Sequence, residues 1–257
     1  MPYFSHGENN IFFEDIGSGV PIVFIHPPAM GRKVFFYQKK LSKHFRVLLP
    51  DLSGHGDTTG PAGNVSISGF ANEIKGLLDF LEIECAAVCG YSSGGLVAQE
   101  FALQYPDRSL AVILSGGFPQ VLSPAFKYEH MIGMYFVKHA PDFLRYLIAI
   151  SHTDDKELQD GIIHHMKKAN RKTWFDFYEK SLHFSCLDRL HHLQAPLLLF
   201  YGSRDIVNQH VRAYKKHTNC QISIIKNESH QLPTKKWELF NQMITGFLME
   251  KVPERSF

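Results

Sequence analysis

Three short segments carry residue types that could do chemistry together. The first is Gly90-Tyr91-Ser92-Ser93-Gly94, the only G-x-S-x-G in the chain, with Gly95 directly after it. The second is Tyr201-Gly-Ser-Arg-Asp205-Ile-Val207, and the third is Asn227-Glu-Ser-His230. A serine hydroxyl is a poor nucleophile until a base removes its proton, and that base needs a carboxylate to orient it. A serine on a sharp turn, then an acid, then a histidine is one chain order in which nature assembles these parts. The chemistry in view is therefore acyl transfer through a covalent serine intermediate. Ser93 is out of frame with the glycines and is not the expected nucleophile.

These segments need strands to carry them. Continuous apolar runs at Pro21–Ile25, Arg46–Leu49, Ala86–Cys89, Leu110–Leu114, Pro196–Tyr201 and Gln221–Ile225 suit strands buried on both faces. Gly17-Ser-Gly19, between Ile11-Phe-Phe13 and Pro21–Ile25, reads as a hairpin turn. Helical spacing is clearest from Phe70 to Leu81, where Phe70, Ile74, Leu77, Leu78 and Leu81 share a face. A second helix is expected from Gly95 to Tyr105, stopping before Pro106, and a last one from about Trp237 to Met249. Strand–helix alternation implies crossovers, hence an α/β fold with a mostly parallel central sheet and helices on both faces. The regularity breaks over 119–195, which is helix-like and offers no convincing strand. This segment is expected to be a helical cap inserted into a core made of residues 1–118 and 196–257. Its aromatics, Phe126, Tyr135, Phe136, Phe143, Trp174 and Phe175 among them, are expected mostly to hold the cap together, with some free to line a pocket.

The elbow motif gains weight from its context, because it follows the strand Ala86–Cys89 and precedes a helix. A strand-to-helix turn this tight strains the central residue and tolerates only small neighbours. The bend lifts the Ser92 hydroxyl off the sheet, beside the Ser93 amide and the helix N-terminus. Asp205 and His230 follow strands whose C-terminal ends form the usual site edge of an open α/β sheet.

At this point the chain resembles the α/β-hydrolase superfamily over nearly its whole length. Ile25-His26-Pro27 resembles that family's His-Gly oxyanion loop, and Asp51-Leu-Ser-Gly54-His55-Gly56-Asp57-Thr58 its D-x-x-G-H-G-x-S/T loop. Gly202-Ser-Arg-Asp205 resembles the G-x-x-D segment carrying the acid, and Ser229-His230 stands where Gly-His is usual. The resemblance implies Ser92 as nucleophile, His230 as base and Asp205 as acid, in a capped, esterase-like member. Some members take the acid from the preceding strand, but Ser115-Gly-Gly-Phe118 offers no carboxylate there. The oxyanion loop departs from the family: His26-Pro27-Pro28-Ala29-Met30 puts proline, which has no N–H, where a donor is needed. The expected oxyanion donors are Ser93 and one of Ala29 or Met30, and losing one such donor costs ~3 kcal/mol of transition-state stabilisation. His55 is expected to brace its own loop. The pairs His164-His165 and His191-His192 are expected on cap-helix surfaces.

Composition agrees by exclusion. The 257 residues carry 27 Lys+Arg against 25 Asp+Glu, a net +2 too weak for a nucleic-acid binder. Four cysteines, Cys85, Cys89, Cys186 and Cys220, fit no paired metal spacing, and Cys85 and Cys89 read as small buried hydrophobes. There is no P-loop, no dinucleotide fingerprint and no H-E-x-x-H, so no cofactor or metal is expected. The first residues lack a signal-peptide pattern, the last five lack a lipidation signal, and no apolar run approaches a membrane span. A cytoplasmic location with no membrane partner follows as the expectation, and the Asn-x-Ser matches at Asn64 and Asn227 then carry no meaning. The expected activity is hydrolysis of a small or medium carboxylic ester. The alternatives on the same triad are C–C bond, lactone or amide hydrolysis or perhydrolase-type haloperoxidase chemistry. From another class comes a hydrolase-fold ligand receptor with slow turnover, which the proline-altered loop would suit.

Overall fold

The computed structural model describes residues 2–61 and 65–252. Met1, residues 62–64 and residues 253–257 lie outside the described residues, and with them Asn64 and the C-terminal tail. The strands, in chain order, are β1 (Tyr3–His6), β2 (Asn9–Ile16), β3 (Pro21–Ile25), β4 (Arg46–Pro50), β5 (Ala86–Tyr91), β6 (Ser109–Ser115), β7 (Leu197–Gly202) and β8 (Gln221–Ile225). The α-helices are α1 (Ile67–Phe80), α2 (Gly94–Gln104), α3 (Pro124–His139), α4 (Pro141–His152), α5 (Lys156–Met166), α6 (Arg171–His183), α7 (Val211–His217), α8 (Leu232–Lys235) and α9 (Trp237–Lys251). One eight-stranded sheet runs in the order β1-β2-β4-β3-β5-β6-β7-β8, antiparallel at β1/β2 and β2/β4 and parallel elsewhere.

Two cores explain why the central strands are continuously apolar. Side chains of a strand point alternately to opposite faces. Val23, Ile25, Val88, Val112, Leu114, Leu197 and Leu199 enter one core with α1 and α2. Ile22, Phe24, Ala87, Cys89, Ala111, Ile113, Leu198 and Phe200 enter the other, with Val34, Phe35 and α9. A strand between two helical layers has no solvent face to make polar. The predicted amphipathic helix is α1, started by Ser66, whose hydroxyl accepts from the Gly69 amide at 2.9 Å.

The Gly17–Gly19 segment is not a hairpin turn. β2 pairs with β4, so β4 lies between β2 and β3 in the sheet. β3 is buried on both faces and at both edges, with β4 and β5 as parallel neighbours, whereas the alternating burial of β2 fits a position outside them. Gly17, at φ +86°, crosses over the chain leading into β4, where a Cβ would come within 2.5 Å of the Ser42 and Phe45 carbonyl oxygens. The hairpin lies one strand earlier: His6 pairs with Asn9 around Gly7 (φ +58°) and Glu8.

Between β6 and β7 the chain makes an excursion that contains α3 to α6. It leaves and returns at one place, where Gln120 and Ser185 form an antiparallel bridge and the Cys186 amide donates to the Pro119 carbonyl at 3.0 Å. Among the described residues no helix is long and apolar enough to cross a membrane.

Candidate active site

The elbow between β5 and α2 has the strained geometry its sequence implies. Ser92 sits at φ +52°, a left-handed conformation that costs a non-glycine residue about 1–2 kcal/mol. It is held from both sides: its amide donates to the Ser115 carbonyl at 2.9 Å, and its carbonyl accepts from the Gly95 amide at 2.9 Å. The flanking glycines are steric requirements. A Cβ on Gly90 would lie 2.5 Å from the Gly95 Cα, and one on Gly94 would overlap the Ile25 carbonyl. β5 can thus turn into α2 against the end of β3, and Ser92 opens onto a cavity.

Asp205 and His230 meet there. Asp205 Oδ2 accepts from His230 Nδ1 at 2.8 Å, and its Oδ1 accepts from the Val207 amide at 2.9 Å. With Nδ1 facing the carboxylate as donor, the lone pair is on Nε2, the tautomer a general base needs. The two loops carrying these residues are stitched together, since Ser203 N donates to Ile225 O and Arg204 N to Glu228 O, both at 2.9 Å. Burial opposes a charged imidazole, but the Asp205 charge and hydrogen bond, helped by Glu129, outweigh it and raise the His230 pKa. Burial likewise opposes ionisation of Asp205, and His230 with the Val207 amide overcomes it, so that its pKa is lowered. On one side His230 packs against the Tyr91 ring, at 5.2 Å between centroids. On another it touches Gly116, at φ +57° just past β6, where a Cβ would lie 2.6 Å from Nδ1. The strand end that has no carboxylate thus supplies space for the imidazole.

The cavity holds about 290 Å³ and is lined by Ser92, Ser93, His230, Pro27, Pro28 and Met30 on the core side. Of the two expected second donors, Met30 lines this cavity, while Ala29 is fully buried in a left-handed conformation at φ +65°. His26 anchors the loop: its Nε2 accepts from the Leu52 amide at 3.0 Å and its Nδ1 donates to the Pro27 carbonyl at 2.9 Å. Burial drives its pKa down to about 4, which keeps the ring neutral. His55 is fully buried, reaches the Ser53 carbonyl at 3.0 Å through Nδ1, and is pushed by burial to about 3. It stacks edge-on to His26 at 4.9 Å and, beyond its own loop, packs against Phe70 of α1 and Phe177 of α6.

His165 departs from the surface position expected of it. His164 is exposed, but its neighbour faces about 100° away around α5, is buried, and reaches Asp51 Oδ1 through Nε2 at 3.1 Å. Asp51 is fully buried and also accepts from the Arg32 and Asp57 amides, at 2.7 and 2.9 Å, and from the Arg32 guanidinium. Burial opposes its charge, but His165, Arg32 and His26 together hold it well below the usual carboxylate range. Asp51, Asp57 and His165 bring ligand-type atoms within 4.8 Å of one another. The Arg32 guanidinium already bridges both carboxylates, at 2.7 Å to Asp57, so the cluster is an ion-pair network. Lys168 to Asp57 at 2.6 Å and Asn170 N to Gly54 O at 2.8 Å extend it, tying the excursion to the core. His191 and His192 are exposed.

The inserted helices form the opposite wall. Phe126 and Phe136 line the cavity, Trp174 is fully buried in the core, and Tyr135 and Phe143 are exposed. Sequence reasoning missed Tyr91, Glu129, His130, His152 and Tyr178, which all line the cavity. Tyr91, the residue before the serine, lies 3.0 Å from His152 Nε2 through its hydroxyl. His152 Nδ1 donates to the Ile148 carbonyl at 2.7 Å, and burial lowers its pKa to about 4, so the Tyr91 hydroxyl is the donor. Only the position of Tyr91 inside the elbow motif could have flagged any of these.

The family model described as alpha/beta hydrolase fold matches residues 20–158. An uncharacterized protein of Mycobacterium tuberculosis is 35% identical over 119 residues, 45% of this chain. The match spans only about a third of that relative's length, 35%. A putative carbamate hydrolase of Azorhizobium caulinodans is 25% identical across 97% of this chain and 99% of its own. Among solved structures, a thermophilic esterase from Thermogutta terrifontis superposes with a TM-score of 0.81 at 24% identity, covering 95% of this chain and 94% of that one. The match over more than half its length places the chain in the α/β hydrolase fold family.

Proposed function

We propose that this hydrolase is a serine hydrolase cleaving a carboxylic ester through an acyl-enzyme. The observation that carries the reading is the 2.8 Å His230–Asp205 hydrogen bond beside a serine strained to φ +52° in the same cavity. His230 Nε2 takes the Ser92 proton as Oγ attacks the ester carbonyl. The Ser93 amide and a second one from the Ala29–Met30 turn hold the oxyanion, Met30 being favoured because it lines the cavity. The imidazolium, stabilised by Asp205, protonates the departing alcohol, and the neutral ring then activates water to release the acid. The inserted helices act as a cap that shapes the acyl and alcohol pockets.

A fluorophosphonate probe is expected to label Ser92, and Ser92→Ala to lose p-nitrophenyl ester hydrolysis while keeping its fold. A folded Ser92→Ala protein turning over at the unmodified rate would sink the proposal. The full-length likeness to a putative carbamate hydrolase favours a second reading on the same triad, hydrolysis of a carbamate. Matched p-nitrophenyl esters and alkyl carbamates separate the two by their kcat/KM.

A further inference from the structure

The oxyanion loop cannot hold itself. Pro27 and Pro28 carry no N–H, and Ala29 at φ +65° and Gly31 at φ +59° set Met30 between two left-handed residues. A non-glycine residue keeps such a conformation only where its surroundings impose it. His26 pins one end of the loop, through the Leu52 amide. Asp51 pins the other: its Oδ1 accepts from the Arg32 amide at 2.7 Å. The same oxygen accepts from His165 Nε2, on α5, at 3.1 Å. His165 also stands against the loop backbone. A Cβ on Gly31 would lie 2.5 Å from its Nε2, 2.6 Å from its Cδ2 and 2.7 Å from Asp51 Oδ1. The imidazole, the carboxylate and the turn after Met30 therefore share one contact, with His165 2% exposed. Neighbouring ties from the excursion go elsewhere, Lys168 to Asp57 and Asn170 to Gly54, both further along the loop after β4.

We infer that His165 is a positioning residue for the oxyanion loop: from α5 it fixes the Asp51 carboxylate and the backbone at Gly31, and so sets the Met30 amide that receives the developing oxyanion. This rests on the acyl-enzyme reading with Met30 as second donor. His165 touches neither substrate nor Ser92; it acts through Asp51 Oδ1, which holds the Arg32 amide two residues beyond Met30. Without its N–H the carboxylate keeps the Arg32 guanidinium, but Oδ1 is free to swing and Gly31 loses the ring that backs it. The hole is then completed from the inserted helices and not by the core alone.

His165→Leu keeps a side chain of similar bulk and loses the donor, while His165→Gln returns an N–H at the same reach as Nε2. On a p-nitrophenyl ester His165→Leu should lower kcat about 10- to 100-fold with KM little changed, because the lost interaction belongs to the transition state. Hexylboronic acid reports the hole directly. Ser92 Oγ adds reversibly to boron, its proton passes to His230 Nε2, and a boron-bound oxygen occupies the oxyanion position. Its Ki should rise by the factor by which kcat falls, while inhibition by hexanol, which fills the pocket without reacting, stays as it was. His165→Gln should recover most of both losses. His165→Asn, whose amide stops short of Asp51, serves the same comparison if His165→Leu is unstable. Lys168→Ala cuts a neighbouring, partly exposed tie and should leave kcat and boronate affinity unmodified. Amide exchange followed by mass spectrometry should quicken over residues 26–32 in His165→Leu, a readout independent of turnover. A folded His165→Leu protein with unmodified boronate affinity overturns the inference. So does an equal weakening of hexanol and boronate, the mark of a loosened pocket. If Ser92→Ala still hydrolyses the ester at the unmodified rate, the acyl-enzyme reading fails instead, and exchange over residues 26–32 decides whether His165 holds the loop.

Discussion

Gly116→Ala is the sharpest single perturbation of this site, because it adds one methyl group and removes nothing. At φ +57° the backbone there is left-handed, so alanine costs about 1–2 kcal/mol before any contact is counted. The new Cβ would stand 2.3 Å from His230 Cε1 and 2.6 Å from its Nδ1. At both atoms that is about 1 Å or more short of ordinary contact between heavy atoms. The imidazole must retreat by that much, and the edge pressed carries the Nδ1 bonded to Asp205 at 2.8 Å. Retreat stretches this bond toward 3.5 Å or turns the ring, and either moves Nε2 away from Ser92. A misplacement of about 1 Å at a reacting group costs on the order of 100-fold in rate. We therefore expect kcat/KM on a p-nitrophenyl ester to fall about 100-fold, with the rate of fluorophosphonate labelling falling in parallel. Stability by urea unfolding should drop by about 1–3 kcal/mol, leaving the protein folded at 25 °C. A folded Gly116→Ala protein with unmodified kcat/KM would show that His230 is not the working base, or that the site does not need it where it stands.

Other outcomes follow from the buried charges. A general base must be neutral, and the His230 pKa is raised, so kcat/KM should fall with acid on a limb centred above pH 6.5. Glu129→Gln removes one of the charges favouring the imidazolium and should move that limb to lower pH; a limb that stays put removes Glu129 from the field of His230. Buried Glu73 is pushed up to about 7 from 4.5 by burial, despite its hydrogen bond from the Ser53 amide. The folded state then holds this proton where the unfolded chain has lost it, so stability declines as pH rises from 4.5 to about 7 and stays lower above. Glu73→Gln should accordingly stabilise by up to about 3 kcal/mol at pH 8 and hardly at pH 4, measured by urea unfolding at both values. Asp51→Ala strands the buried Arg32 guanidinium and should cost about 3–5 kcal/mol of stability; a loss under 1 kcal/mol would mean that Glu14 and Asp57 suffice to hold it.

What the sequence made legible, and what it hid, follows the range of each interaction. Ser92, Asp205 and His230 could be placed because each follows an apolar run, buried on both faces in β5 and β7 and still legible as isoleucines in the partly exposed edge strand β8. β1 went unseen because it is four residues long with one buried side chain, Phe4, too short for any period to register. The Gly17–Gly19 error came from reading a glycine pair as a turn, when the constraint was the carbonyls of Ser42 and Phe45 lying beneath it. His165 was misplaced because its partner, Asp51, lies 114 positions away and no local pattern records it. Gly116 was read only for the carboxylate it lacks. The cavity wall formed by α3 stayed dark for a similar reason: Glu129 and His130 are ordinary helix residues until α3 is laid across the cavity.

The single point where the excursion leaves and rejoins the core bears on how such a molecule can change. Because residues 119 and 186 are joined by a hydrogen bond, the helices between them form a closed loop, and closing a longer or shorter one costs only slowly more with length. The register of β6 against β7 is indifferent to what is threaded between them. Grafting a foreign module at this neck is thus topologically simple, with conditions imposed from elsewhere. The donor must bring its own group for Asp51, as His165 does now, or the buried carboxylate keeps its hold on Arg32 and loses its tie to the excursion. It must also meet the Tyr91 hydroxyl, as His152 of α4 does, so variation in what is bound is easiest at the exposed positions of α3 and α4.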